Sequence, residues 1–270
     1  MKLTYLGTAA AEGFPATFCN CQFCVEARLL GGKNVRTRSQ SLVNDDLLID
    51  FPADTYFHFL NHKIDVNKIK YLLITHAHPD HLYQEDLYRR RRPYAHNIAT
   101  DILPIVCSEH TSKAINGTPA GTKTIVIKAF ETVKLGEYEI TALPARHMLE
   151  GEEAFIYIIR GDKTLLYAND TGFFFEDVFS YIEENKVFFD MVSLDCTNID
   201  IPISDGGSHM GFPNIERLLS RLSAIGAVNS STVKYVNHFS HNANPIHSVV
   251  EEKAKKHGCL ASYDGCTVDF

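Results

Sequence analysis

Three histidines and an aspartate fall within six residues, His76-Ala77-His78-Pro79-Asp80-His81, directly after an apolar run. Residues i and i+2 of an extended segment point to one side, so His76 and His78 can grip one cation. Beyond the turn made by Pro79, Asp80 and His81 can face a second. Imidazole suits zinc and other borderline transition metals, while carboxylate suits harder ions and bridging roles. Two ions roughly 3.5–4 Å apart can clamp the attacking and leaving oxygens of a displacement. Loop decoration or helix capping would account for one such histidine, but not for four ligand-type residues in one turn.

A second cluster is Cys19-Asn20-Cys21-Gln22-Phe23-Cys24, three thiols that can reach one ion. Tetrahedral zinc needs four sulfur or nitrogen ligands, so the fourth must come from elsewhere. A redox pair and unrelated buried thiols are the alternatives. A redox Cys-x-x-Cys normally opens a helix in a βαβ unit. Here a third thiol crowds Cys21 and Cys24, and the preceding strand ends far upstream.

The elements that must position these groups alternate between strand and helix character along the whole chain. Lys2–Leu6 opens as a strand. Residues 41–51 read as a hairpin turned at Asn44–Asp46, and residues 54–60 as a short helix. Ile69–Thr75 is the β-branched and leucine-rich run of a buried strand. A helix over Tyr83–Arg90 follows. Strands are expected at 105–107, 124–130, 133–135, 138–143, 154–160, 164–168, 191–194 and 233–236. Helices are expected at 173–184, 213–225 and 245–256, and a closing hairpin around Asp264–Gly265. Asp50, His76, Asp170, Asp195 and His238 each sit at or just past the end of an apolar strand, which suggests one shared edge. No linker, repeat or low-complexity segment interrupts the pattern, so residues 1–270 are read as a single domain.

Composition sets the outer bounds. The chain has 270 residues, 45% hydrophobic and 22% charged, which is ordinary for a globular protein. A net charge of −7 disfavours a general nucleic-acid surface, because phosphate neutralisation needs clustered Lys and Arg. No stretch approaches the roughly 20 apolar residues of a membrane helix, and the N-terminus lacks a signal-peptide core. A cytoplasmic protein is expected, whose seven cysteines serve as metal ligands or free thiols rather than disulfides. Cys107, Cys196, Cys259 and Cys266 carry no assigned role, nor do His58, His62, His96, His110, His247 and His257. Buried thiols and surface imidazoles are the default for these.

The His-x-His-x-Asp-His segment resembles the signature of the metallo-β-lactamase superfamily. That pattern continues with a lone histidine, an aspartate after a strand and a late histidine, matched here by His147, Asp170 and His238. The resemblance implies an α/β fold, the αββα four-layer sandwich, with its site at one edge of two sheets. It implies that His76, His78 and His147 bind one metal, that Asp80, His81 and His238 bind a second, and that Asp170 bridges. Asp50 resembles a family residue that orients ligands; a plain strand-end turn is the alternative reading.

A narrower resemblance follows. Gly13-Phe14-Pro15 before the three thiols is similar to the cyclic phosphodiesterases of the bacterial carbon–phosphorus lyase pathway, which degrades phosphonates. In that group a histidine three residues after the last active-site histidine completes a structural zinc site; here that position is His241, joining Cys19, Cys21 and Cys24. Ser208-His209 matches a loop whose histidine contacts substrate phosphate and acts as general acid. Catalysis is thus assigned to Asp80 and His209. Tyr263-Asp264-Gly265 matches the group's closing turn. The run Arg89–Arg92 is a departure from the pattern, read as a solvated helix face or an anion-steering patch.

The resemblance therefore implies a metal-dependent hydrolase, a phosphodiesterase cleaving a small cyclic phosphodiester with a dinuclear metal-bound hydroxide. Its cofactors would be two divalent ions (Zn, Mn or Fe) and one structural Zn. A small phosphodiester is the expected partner, with no membrane, no nucleic acid, and a homodimer as the common arrangement. Three other readings stay open: an RNA-processing endonuclease of the same superfamily, an ester or thioester hydrolase, and a non-hydrolytic cofactor-biosynthesis or binding protein.

Overall fold

The computed structural model describes residues 1–115, 117, 119–147 and 151–270. Its frame is two seven-stranded sheets packed face to face. The first has the order β14-β1-β2-β3-β4-β5-β6 and the second β13-β12-β11-β10-β9-β8-β7. In the first sheet the strands are β1 (Lys2–Gly7), β2 (Gln40–Val43), β3 (Leu47–Ile49), β4 (Tyr71–Leu73), β5 (Leu103–Cys107), β6 (Thr122–Val126) and β14 (Thr267–Asp269). In the second they are β7 (Thr132–Leu135), β8 (Tyr138–Pro144), β9 (Phe155–Arg160), β10 (Thr164–Ala168), β11 (Met191–Asp195), β12 (Val233–Asn237) and β13 (Leu260–Ala261). Strands β3 to β6 run parallel, as do β10 to β13. The remaining neighbours are antiparallel.

The continuous apolar runs follow from burial on both faces. Val43, Leu47, Ile49, Leu73 and Val106 point between the sheets and meet Ile140, Tyr157, Ile159, Leu165 and Met191. Their alternates Leu42, Leu48, Leu72 and Ile105 face outward and pack under Leu82 and Leu87. On the other side Leu143, Ile158, Leu166 and Leu194 are covered by the apolar stripes of α5 (Glu176–Glu184), α6 (Phe212–Ala224) and α7 (His247–Lys256). Period-2 side chains thus build two cores on opposite faces of each sheet.

Four buried tyrosines cross the inter-sheet layer and place their hydroxyls on polar partners of the opposite sheet. Tyr5 donates to Ser193 Oγ (2.9 Å), Tyr138 to Asp46 Oδ1 (2.7 Å), Tyr157 to the Ile74 carbonyl (2.8 Å) and Tyr167 to Ser41 Oγ (3.2 Å). Such contacts fix the registry of one sheet on the other, because a misplaced phenol would be buried without a partner.

The elements depart from the sequence reading at identifiable points. The chain around Asp264–Gly265 is not a hairpin: β13 joins β12 while β14 joins β1 in the other sheet, so the turn is a crossover between sheets. The helix expected over 83–90 stops early, as α3 (Gln84–Leu87). Pro93 disfavours helical backbone at Arg92, and Arg90 turns inward to donate to the carbonyls of Thr100 and Gly121. Arg89 pairs with Asp86 at 2.8 Å, leaving Arg91 and Arg92 exposed in turns. The helix expected from 173 begins at Glu176. Helix α1 (Gln22–Leu30), which opens at the second thiol of the cysteine cluster, is not expected from the sequence pattern. The four unassigned cysteines are buried as expected, but His58 and His247 are buried too. Among the described residues no helix is long and apolar enough to cross a membrane.

Candidate metal centre

The C-terminal ends of the parallel strands converge on one edge. Strand β3 delivers Asp50, β4 leads through Ile74 and Thr75 into His76, β10 into Asp170, β11 ends at Asp195 and β12 precedes His238. Asp50, Asp170 and His238 all have left-handed backbone, with φ of 65°, 59° and 65°. For residues with side chains such φ values are uncommon and persist only where the surroundings enforce them. Here the turns aim three side chains from three strands at one point.

The His76–His81 segment is pinned from both ends. The His78 carbonyl accepts the amides of His81 (2.9 Å) and Leu82 (2.8 Å), closing a turn around Pro79. The Phe51 amide donates to the His81 carbonyl and the Tyr83 amide to the Phe51 carbonyl. Beneath, Asp50 is fully buried and accepts from the Thr75 amide (2.8 Å), the Thr75 hydroxyl and His81 Nδ1 (2.7 Å). That last bond engages His81 Nδ1 and leaves Nε2 facing Asp80 and Asp170.

Three overlapping groups of ligand-type atoms result, sharing Asp170. His76, His78, His147 and Asp170 form one; Asp80, His81, Asp170 and His238 a second; Asp170, Asp195, His209 and His238 a third; within each group all atoms lie within 4.8 Å of one another. His78 Nδ1 is 3.0 Å from His76 Nε2 and 3.1 Å from His147 Nε2. Asp170 Oδ2 is 2.9 Å from His81 Nε2, 3.3 Å from His76 Nε2 and 3.6 Å from His238 Nε2. Ligands of a tetrahedral ion with bonds of about 2.05 Å lie about 3.3 Å apart, so the spacing fits. The donor chemistry fits as well. His81 Nε2, His238 Nε2 and Asp170 Oδ1 are buried without a hydrogen-bond partner. Buried polar atoms left so are costly unless something else satisfies them.

The thiols form a separate group with His241, again within 4.8 Å. His241 Nδ1 lies 3.5, 3.8 and 3.7 Å from the Sγ atoms of Cys19, Cys21 and Cys24. A zinc with bonds of about 2.3 Å to sulfur and 2.05 Å to nitrogen would space them about 3.6 Å apart. The two kinds of thiol differ. Hydrogen bonding to His241 lowers Cys21 to about 6, whereas burial pushes Cys24 up to about 11. Glu12 accepts from Ser240 Oγ (2.6 Å) and the His241 amide, holding the loop that carries His241.

His209 stands at the mouth of the centre. Its Nδ1 is 3.0 Å from Asp195 Oδ2, 3.2 Å from Asp170 Oδ1 and 3.2 Å from Thr197 Oγ1. Burial disfavours its charged form, but Asp195 and then Asp170 outweigh burial and raise it to about 9. The loop that carries it is seated on bare backbone: a Cβ at Gly172 would fall 1.8 Å from the Gly207 carbonyl oxygen. His81 is likewise held well above the ordinary imidazole value, because Asp50 and Asp80 outweigh burial. Histidines 76 and 238 are lowered, chiefly by burial.

All eleven residues expected as ligands and the expected acid His209 thus fall into these clusters. The sequence marks Asp195 only as a strand-end residue. It accepts from His209, from the Thr197 amide and hydroxyl, and from the Met210 amide (2.9 Å), so it organises the loop after β11. Its signal was the one that marked Asp170, an apolar parallel strand ending in aspartate. Thr75, Thr197 and Glu12 carry no such signal.

A family model described as the beta-lactamase superfamily domain matches residues 48–239. The chain belongs to that family, and by class it is a metal-dependent hydrolase of the metallo-β-lactamase superfamily. Several solved structures share the fold over its whole length. A diphosphatase of the PhnP family superposes with a TM-score of 0.76 at 22% identity, covering 100% of this chain and 97% of that one. Zinc-bound PqqB from Methylobacterium extorquens gives 0.73 at 17%, covering 100% of both. The short form of human tRNase Z gives 0.63 at 12%, covering 100% and 99%. At these identities the likeness concerns the fold. No curated protein matches the chain.

Proposed function

We propose that the chain is a phosphodiesterase for a small, cyclic phosphodiester, acting at a dinuclear metal centre. His76, His78 and His147 would hold one divalent cation, Asp80, His81 and His238 a second, with Asp170 between them; Cys19, Cys21, Cys24 and His241 would hold a structural zinc. When bound, such a pair supplies ionisation of water near neutral pH and neutralisation of charge on phosphoryl oxygens.

The observation that carries the reading is the Asp195–His209 pair beside Asp170. Acyl transfer from an activated ester or thioester has a good leaving group and little need of an acid. An alkoxide leaving a phosphodiester needs a proton. Asp195 engages Nδ1 of His209 and leaves Nε2 as the atom that can donate to the departing oxygen. Asp80 contributes a carboxylate held well below its usual range, because His81 outweighs the cost of burial. It therefore stays an acceptor at working pH. That a diphosphatase shares the fold is consistent with phosphate chemistry.

The test is a substrate panel with fully metallated protein: bis-p-nitrophenyl phosphate, p-nitrophenyl acetate and 2′,3′-cyclic nucleotides. Turnover of the diesters at least about 100-fold above the acetate is expected. Preference for the acetate would reject the reading.

A further inference from the structure

Behind the metal centre runs a chain of buried polar groups that the proposed chemistry does not use. Gln40 and His58 are both 0% exposed. Gln40 Nε2 donates to the main-chain carbonyl of Asp50 at 2.9 Å and to Thr55 Oγ1 at 3.0 Å. Gln40 Oε1 lies 2.6 Å from His58 Nδ1, and His58 Nε2 lies 2.6 Å from Thr37 Oγ1. Thr37 Oγ1 is in turn 2.6 Å from Asp264 Oδ2, which also accepts the Thr37 amide. The room for this ring is built into the fold: a Cβ at Gly7 would meet His58 Cε1 at 2.9 Å and the Arg38 carbonyl oxygen at 2.0 Å.

Hydrogen-bond direction is forced at the Gln40 end of the chain. The flipped amide would set oxygen against the Asp50 carbonyl oxygen, so Nε2 faces Asp50 and Oε1 faces His58. An amide oxygen cannot donate, so His58 Nδ1 carries the proton toward Gln40 Oε1. Asp50 is the residue with φ of 65° whose carboxylate aims His81. A left-handed aspartate costs free energy unless its neighbours hold it. Its carbonyl is held by Gln40 and its amide by the Leu73 carbonyl (2.8 Å).

We propose that Gln40 and His58 are positioning residues for the metal centre: His58 sets the Gln40 amide, Gln40 holds the Asp50 backbone, and the Asp50 carboxylate keeps His81 Nε2 aimed at its cation. This rests on the reading of His81 as a ligand. It extends control of that ligand to residues 23 and 41 positions upstream in sequence, neither of which touches the site.

Metal content per chain and chelator-competition affinities are measured for the full-length metallated protein and three variants. Gln40→Glu keeps size and the acceptor for His58 but cannot donate to Asp50. His58→Leu removes the donor, and His58→Asn restores a donor at the Nδ1 position. Removing partners that orient ligands costs about 10–100-fold in metal affinity. Gln40→Glu and His58→Leu are expected to weaken one active-site cation by that factor while the thiol-bound zinc is retained, and His58→Asn to recover most of the loss. Active-site affinities within about 2-fold of the parent in both disruptive variants, with only the melting temperature lowered, would overturn the proposal as a merely structural effect. Failure of the underlying reading looks different: the unsubstituted protein would itself bind no cation outside the thiol cluster.

Discussion

Three donors of the thiol cluster lie within six residues and the fourth is 222 residues from Cys19. The His/Asp centre instead draws seven donors from four separate strand ends and loops. The thiols sit on a loop and the first turn of α1, over a small core of Ala9, Phe14, Ala16, Ala27 and Ile246, with Cys19 and Cys21 partly exposed. The His/Asp groups are mostly buried between two large cores, and two of their backbones are left-handed. Three thiols close in sequence can begin to gather an ion before His241 is placed. A dispersed one exists only after both sheets have registered. The first should serve to hold structure and the second to do chemistry, and substitutions can separate the two.

The largest expected effect is at Asp170, which every histidine-containing group at this edge shares. Asparagine tolerates left-handed backbone, so Asp170→Asn removes the charge while sparing the turn. We expect kcat/KM on a phosphodiester to fall by at least about 10⁴-fold, with loss of active-site metal but full retention of zinc at the thiols. Elemental analysis of the variant checks this. Simultaneous loss of the thiol-bound ion would show the two regions to be one cooperative unit.

Next in size is His209→Ala. General acid catalysis is worth about 10²–10⁴-fold, and only where the leaving group needs a proton. The expected result is a loss of about 10²–10³-fold on an alkyl or ribose diester and within about 3-fold on bis-p-nitrophenyl phosphate. Equal losses on both substrates would make His209 a binding residue.

Cys24→Ser tests the other region. Cys24 is fully buried and its thiol accepts the Ala16 amide, so it belongs both to the cluster and to its core. Loss of one zinc per chain is expected. The melting temperature should fall by about 5–15 °C, from roughly 2–4 kcal/mol at 2–4 °C per kcal/mol for a chain of this size. Differential scanning calorimetry with and without chelator measures it. Activity should remain within about 3-fold, since Glu12 and Ser240 still tie the His238 loop to the N-terminal segment.

What was legible in the sequence divides along the same line. The His76–His81 segment and the thiols announce themselves by density. The downstream ligands His147, Asp170 and His238 are single residues at strand ends and gain meaning only as an ordered set. Strands were readable because both sheets are covered on two faces, which produces unbroken apolar runs. Helix α1 was not, because its first turn is occupied by the thiol motif and it buries only Cys24 and Ala27. Asp264 has the sequence setting of a hairpin turn, yet it is a staple. It accepts from Thr8 and Thr37, contacts that exist only once the chain crosses between the sheets. Networks of this kind, like Gln40–His58, leave no local pattern, because their partners are set by tertiary packing alone.

The smallest effect expected sharpens the comparison through acid. His247 begins α7 beside the thiol region, and Arg36 Nη2 lies 3.2 Å from its Nδ1. An arginine can only donate, so Nδ1 must be the lone-pair nitrogen and the ring neutral. Burial, then Arg36 and Lys33, lower His247 to about 4. In the unfolded chain it titrates near 6.5. Between those values the unfolded state binds the extra proton, so the contribution is complete above about pH 6.5 and is lost as pH falls toward 4. At pH 5.5 the loss is on the order of 1 kcal/mol, or about 2–4 °C. His247→Asn should therefore lower the melting temperature at pH 7.5, yet lose about 2 °C less than the parent on going to pH 5.5. Parallel pH profiles would mean that acid acts on the N-terminal region through other groups.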